Sequence, residues 1–241
     1  MCGMVGYVGA QARSALDVVL VGLGRLERPG HDSSGVAVLA EDGGIAAARA
    51  AGGLAALHGV LRERPLPTGG SAIGHLRRAT HGAPSEGNAH PQLDNAGRVA
   101  VVHDGEIANH AALRAELAAR GHALASETDT EVVAHLLAEQ FSSCEDLGEA
   151  MRQVCRSLVG EFALLAVHAD EPFTVVGARR GRPLVVGLGD GELFVASEGV
   201  AFDGLARDVV GLADDQVVVL RRDVDGVGCE ITDAGGSVVT A

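Results

Sequence analysis

The sequence predicts one domain of mixed α and β structure, with helices set around many short strands. Three observations point there. Hydrophobic residues make up 47% of the 241 residues and charged residues 21%, enough apolar surface to offset the entropy of ordering. Apolar periods of 3.6 and of 2 residues alternate along the chain, and its last third reads almost wholly as strands. No repeat or low-complexity linker divides the chain, so residues 1–241 are expected to form one domain. Two sheets packed face to face with helices outside account for this mixture, although pattern alone does not decide the stacking.

Residues 3–9 and 35–40 read as short buried strands, and 14–26 carries the helical apolar period, with Ser14 placed to cap it. Residues 71–76 form a strand. Residues 77–97, with Gly82, Pro84, Gly87, Asn88 and Pro91, form a long turn-rich loop of the kind that carries function. A strand over 98–103 runs into Asp104-Gly105, and Asn109 is placed to cap a helix over 110–120. Helices over 129–141 and 144–158 precede strands at 161–168, 173–178, 183–188, 192–197, 215–221 and 228–232.

Composition excludes several function classes. The net charge is −13, and all 19 basic residues are Arg, paired only at Arg77-Arg78, Arg179-Arg180 and Arg221-Arg222. Such a surface repels phosphate backbones and anionic headgroups, so neither nucleic acid nor membrane is an expected partner. Aromatic residues are 2% with no Trp, too few for stacking platforms. No apolar run approaches the ~20 residues of a spanning helix and no signal peptide opens the chain, which predicts a cytoplasmic protein. Cys2, Cys144, Cys155 and Cys229 lack metal-finger spacing, so no disulfide framework, metal or cofactor is expected.

The chain opens Met1-Cys2-Gly3. Removal of Met1 leaves Cys2 with a thiol nucleophile and an α-amino base on one residue; such an amine has a pKa of about 7.7–8.0 and accepts the thiol proton near neutrality. Further along come Gly30-His31-Asp32-Ser33-Ser34-Gly35, His75-Leu76-Arg77-Arg78-Ala79-Thr80-His81-Gly82 and Asn88-Ala89-His90-Pro91. After them stand Val101-Val102-His103-Asp104-Gly105-Glu106-Ile107-Ala108-Asn109 and Ser126-Glu127-Thr128-Asp129-Thr130-Glu131. In this order they resemble the class II glutamine amidotransferases, most closely the N-terminal glutaminase domain of glucosamine-6-phosphate synthase. The resemblance covers essentially the whole chain, down to Pro183–Ser197.

The resemblance implies an α+β, four-layer αββα N-terminal-nucleophile sandwich, with two antiparallel sheets between helical layers. It implies hydrolysis of the L-glutamine side-chain amide through a γ-glutamyl thioester on Cys2. Arg77 matches the position that forks onto the substrate carboxylate, where a planar bidentate donor outperforms Lys. Asp129 matches the position that pairs the α-ammonium, Gly105 supplies an oxyanion N–H, and Thr80 and His81 line the pocket. On the residues alone, Arg77 reads rather as a surface Arg beside a turn and Asp129 as a helix cap, and Thr80, His81 and Gly105 also read as loop backbone.

Three positions depart from the family pattern. Asp104 stands where an Asn donates to the oxyanion, and an ionised carboxylate has no proton to give; losing such a donor costs about 10²- to 10³-fold. Arg28-Pro29-Gly30 replaces Tyr-Arg-Gly, and Arg78 replaces a Trp beside Arg77, placing positive charge that suits a more anionic substrate or pairs with Asp104. The chain ends near where the family's sugar-isomerising half begins, so a synthase partner that receives ammonia is expected. Two other readings stay open: a catalytically impaired module that binds glutamine or regulates a partner, and an amidase or acyl transferase acting on a γ-glutamyl-like amide.

Overall fold

The computed structural model describes residues 2–9, 13–40 and 42–239. In chain order the first elements are β1 (Gly3–Gly9), α1 (Ala15–Leu26), β2 (Ser33–Leu39), β3 (Ile45–Ala51), α2 (Leu54–Glu63) and β4 (Ser71–Arg77). Next come β5 (Gln92–Leu93), β6 (Val99–Ile107), α3 (His110–Ala119), α4 (Glu131–Cys144) and α5 (Leu147–Ser157). The chain then runs through β7 (Gly160–His168), β8 (Thr174–Arg180), β9 (Val185–Leu188), β10 (Glu192–Ala196), β11 (Asp208–Gly211), β12 (Val217–Asp223) and β13 (Gly226–Thr232). A 3₁₀ turn spans Gly199–Phe202.

The strands form two sheets, ordered β11-β9-β10-β1-β4-β2-β3 and β13-β12-β8-β7-β6-β5, with antiparallel pairing between neighbours. Three apolar clusters define four layers. One joins α1 and α2 to the outer face of the first sheet, through Val19, Leu23, Leu57 and Leu76. A second lies between the sheets, with Met4, Ile73, Val102, Leu165 and Val218. The third joins α3, α4 and α5 to the outer face of the second sheet, through Leu117, Val133, Met151 and Leu164. The sequence-predicted α+β sandwich is therefore the observed architecture.

Most helices and strands fall where periodicity puts them, with ends shifted by a few residues. Ser14 caps α1, its hydroxyl accepting from the Asp17 N–H at 3.5 Å. Asn109 does not cap α3, which corrects the expectation. Its backbone is at φ −93° and ψ 13° rather than extended, and its side chain bridges to the next segment: Nδ2 donates to the Ser157 carbonyl and Oδ1 accepts from the Val159 N–H. Periodicity also leaves β3, α2, β5 and β11 unread. The α2 N-terminus has no local side-chain cap; the carboxylate of Glu27 accepts from the Leu54 N–H at 2.8 Å.

Strand alternation aims the chemistry. On β1, Met4 and Val8 face the inter-sheet core and Val5 and Tyr7 face the helices, so Cys2 shares the inner side. On β4, Ile73 faces inward, as by parity do His75 and Arg77; β1 and β4 pair Gly3 with Leu76, which sets Cys2 beside Arg77. On β6, Ala100 and Val102 face inward and Val99 and Val101 outward, so Asp104 joins Cys2 while His103 turns to α4. The sequence thus delivers three groups to one end of the gap between the sheets.

Gly105 closes that end at φ +132°, and a Cβ there would meet the Glu161 carbonyl oxygen at 2.1 Å. Both the dihedral and the backbone contact demand glycine. Gly105→Ala is expected to lower the unfolding free energy by about 3 kcal/mol or more, read as a fall in the urea midpoint at unchanged m.

Candidate active site

Cys2 is 8% exposed, and its sulfur accepts a hydrogen bond from the Arg78 N–H at 3.3 Å. Burial, then the charge of the neighbouring Asp104, push the thiol up to about 12, while the Arg78 N–H pulls it down. Asp104 is buried against this sulfur, the place its strand parity predicts. Met1, whose removal frees the Cys2 amine, lies outside the described residues.

Arg77 is 3% exposed. Its Nη2 donates to the His81 and Gly82 carbonyls, while its Nη1 is buried with no partner among the described residues. Burial lowers the pKa of the guanidinium, and the charges of Asp32, Cys2 and Asp129 oppose that. A buried guanidinium with a free donor edge is costly unless an anion completes it. Asp129 is equally buried, one carboxylate oxygen held by the Ile107 N–H at 2.9 Å. The two opposite charges that the family resemblance singled out are therefore both desolvated, with Arg77 close enough to feel the charges of Cys2 and Asp129.

The remaining candidates divide. The His81 carbonyl anchors Arg77, but its ring turns outward, 3.3 Å from Glu106 and packed on the His110 ring. It meets Arg77 through its backbone and not through its ring. Thr80 is exposed on the same turn. Arg28 grips Glu198 with Nη2 at 3.0 and 2.7 Å from its two oxygens, which takes it away from Cys2. Arg78 donates to the Pro29 carbonyl at 2.6 Å, its guanidinium lying against Gly30. Among the described residues no ion pair joins Arg78 to Asp104.

Sequence reasoning passed over several residues that hold these groups in place. Asp32 accepts from the Ala79 N–H at 2.6 Å and from the Ser33 hydroxyl at 3.2 Å, fastening the turn after Arg77 to β2. Asn88 donates to Glu127 and accepts from its N–H, both at 2.9 Å, tying the long loop to the Asp129 segment. Burial raises the Glu131 carboxyl, but His135, the Ala125 and Ser126 N–H groups and the Ser126 hydroxyl outweigh it and hold the group down at about 2. All three lie inside the quoted motifs; Asp32 and Asn88 bond partners 47 and 39 residues away, of which spacing carries no sign, whereas Glu131 bonds groups four to six residues from it.

No set of three His, Cys, Asp or Glu side chains is arranged to hold a metal among the described residues, and no helix there is long and apolar enough to cross a membrane. All four cysteines are free.

Comparison with known proteins identifies the family and the fold. Residues 75–204 match the family model for the glutamine amidotransferase domain. The chain is 63% identical over 237 residues to the glutamine–fructose-6-phosphate aminotransferase [isomerizing] of Streptomyces coelicolor, covering 98% of this chain and 37% of that protein. It is 47% identical to the enzyme of the same name from Leifsonia xyli subsp. xyli, covering 99% of this chain and 38% of the relative. The chain thus spans well under half the length of these curated relatives. Among solved structures, the glutamine phosphoribosylpyrophosphate amidotransferase of B. subtilis superposes with a TM-score of 0.75 at 27% identity, over 95% of this chain and 49% of that one. A glutamine aminotransferase class-II domain protein from Silicibacter pomeroyi, at 15% identity and a TM-score of 0.58, covers 96% of this chain and 100% of its own and shares the fold. On the fold, the site and the family match together, the chain belongs to the glutamine amidotransferases.

Proposed function

We propose that residues 1–241 act as one type-2 glutamine amidotransferase domain that hydrolyses L-glutamine and passes the ammonia to a synthase domain or partner. The observation that carries this reading is the buried, unpartnered Nη1 of Arg77 close to the buried Asp129 and to the Cys2 thiol. An α-amino acid brings one carboxylate and one ammonium, the charges that complete Arg77 and Asp129, and its side-chain amide then reaches the sulfur.

In this mechanism Met1 has been removed and the Cys2 α-amine takes the thiol proton as sulfur bonds to the amide carbon. The oxyanion is met by the Gly105 N–H. The C–N bond breaks, the amine returns the proton to the leaving nitrogen, and ammonia departs from a γ-glutamyl thioester. Water then cleaves the thioester to glutamate and restores the thiol. The relatives' names pair glutamine with fructose 6-phosphate, which favours a phosphosugar as the eventual nitrogen acceptor.

A second reading is favoured by one observation: the Asp104 carboxylate stands beside Cys2 where an oxyanion donor is needed. In that reading the domain binds glutamine but turns it over poorly, and serves a partner as a glutamine-responsive module.

Glutamate release by the purified protein separates the two. Arg77→Lys, which keeps the charge but loses the planar fork, is expected to raise the glutamine KM about 10-fold or more with a smaller change in kcat. A KM within about twofold of the parent assigns the carboxylate to another group.

A further inference from the structure

Behind the pocket lies a chain of buried polar groups that the mechanism above does not use. His75, His90, Thr130 and His103 are each at most 3% exposed. His75 Nδ1 is 3.0 Å from His90 Nδ1, with the two rings stacked at 4.6 Å. His90 Nε2 is 2.8 Å from the Thr130 hydroxyl, and that hydroxyl is 3.1 Å from His103 Nδ1. The chain closes through the backbone, because the His103 N–H points at His90 Nδ1 at 3.4 Å.

With that backbone N–H donating to His90 Nδ1, whose one lone pair it shares with the His75 ring, a single arrangement of the protons follows, at the cost of a buried His103 Nε2–H without a partner among the described residues. Since His90 Nδ1 accepts from it, the ring proton of His90 sits on Nε2, and His75 must donate from its own Nδ1. His90 Nε2–H then donates to Thr130, whose hydroxyl proton goes to His103 Nδ1 rather than being left unpaired. All three imidazoles are neutral in this arrangement, as burial alone favours. His75 uses the Nδ1–H tautomer and His90 and His103 the Nε2–H tautomer.

Each member sits next to a group proposed to meet the substrate. His75 is two residues before Arg77 on β4, on the same face; His103 directly precedes Asp104-Gly105 on β6; Thr130 directly follows Asp129 at the head of α4. His90 belongs to the long loop after Arg77 and joins the other three. We infer that the His75–His90–Thr130–His103 chain is a positioning network that sets the carboxylate, oxyanion and ammonium sites at fixed separations, with the Thr130 hydroxyl as its joint. Its members are positioning residues, since none is placed to touch glutamine. The inference deepens the glutaminase reading and rests on it for the identity of the ligand.

Thr130 offers a nearly isosteric test. Thr130→Val removes the hydroxyl, strands a donor on His90 and an acceptor on His103, and leaves the volume almost unchanged; Thr130→Ser keeps the hydroxyl. The valine variant is expected to raise the glutamine KM about 10-fold or more, with the serine variant within about threefold of the parent. A purely structural role would lower the folded fraction, and so the apparent kcat, at constant KM. An unchanged KM in the valine variant, or an equal rise in both, overturns the inference. If the valine variant does not fold, the parent's ring tautomers decide by ¹⁵N NMR: His75 as Nδ1–H, the other two as Nε2–H, unchanged between about pH 6 and 8. Any other tautomer set, or a ring that titrates there, overturns it. If the parent releases no glutamate, the glutaminase reading fails separately, and the same comparison made on the glutamine Kd by calorimetry decides this inference; no glutamine binding at all overturns it.

Discussion

Cys2→Ala is expected to bring glutamate release down to the uncatalysed background, a loss of about 10⁴-fold or more, without loss of the fold. In the proposed mechanism the Cys2 sulfur is the atom that bonds the amide carbon. No other cysteine substitutes for it: Cys144 and Cys155 lie in the helical layer against the second sheet, and Cys229 is on β13. Cys2 adds only a small inward side chain at the mouth of the gap, so the thermal midpoint of the alanine variant should stay close to that of the parent. The thioester predicts a second signature: a glutamine-like electrophile adds its mass to the parent, glutamine slows the addition, and Cys2→Ala shows none. Equal glutamate release by parent and variant would end the glutaminase reading.

Asp104→Asn is expected to change activity in the opposite direction, by about 10-fold or more. Two effects add. The amide supplies an N–H where the carboxylate offers only acceptors, and it removes a negative charge from beside the sulfur. Burial and then Asp104 hold the Cys2 thiol proton on up to about 12, so losing the Asp104 charge lets the proton leave at lower pH. The pH profile of Cys2 alkylation should therefore move to lower pH in Asp104→Asn, and the rate at neutral pH should rise. A fall in glutamate release would instead mean that Asp104 has its own task in this chain. The distinction separates an impaired ancestral site from one adapted to another amide.

The elements that periodicity revealed are those whose partners are nearby or whose pattern is strong. The 3.6-residue stripe of α1 and its Ser14 cap are local, and both hold in the structure. By contrast β3 reads IAAARAA, a run of small residues with neither alternation nor branched side chains, and becomes a strand by pairing with β2 along its whole length. The start of α2 depends on Glu27, which is 27 residues away from Leu54, so no local signal marks it. Asn109 shows the opposite failure: a good cap residue in a good place, drawn instead to Ser157 and Val159.

The site divides in the same way. The resemblance of the ordered motifs to the family named Arg77, Gly105 and Asp129, and marked Asp104 as a departure from its pattern; only Cys2, a thiol placed beside an α-amine once Met1 is removed, stood out on its own chemistry. Whether Arg28 or Arg78 turns toward the nucleophile was not legible, since the answer depends on Glu198, 170 residues from Arg28, and on the Pro29 carbonyl, 49 residues from Arg78. The histidine chain was equally hidden: His75, His90 and His103 appear in three separate motifs, and only the closure of β4, the long loop and β6 puts their nitrogens in contact. The amino-acid sequence by itself determined the mixed α and β class and the inventory of reactive groups, because these follow from periodicity and residue chemistry; the four-layer stacking was implied only by the family resemblance of its ordered motifs. Tertiary structure decided which charges pair and which stay unpaired, because hydrogen bonds and desolvation act across a few ångströms and take no account of distance along the chain.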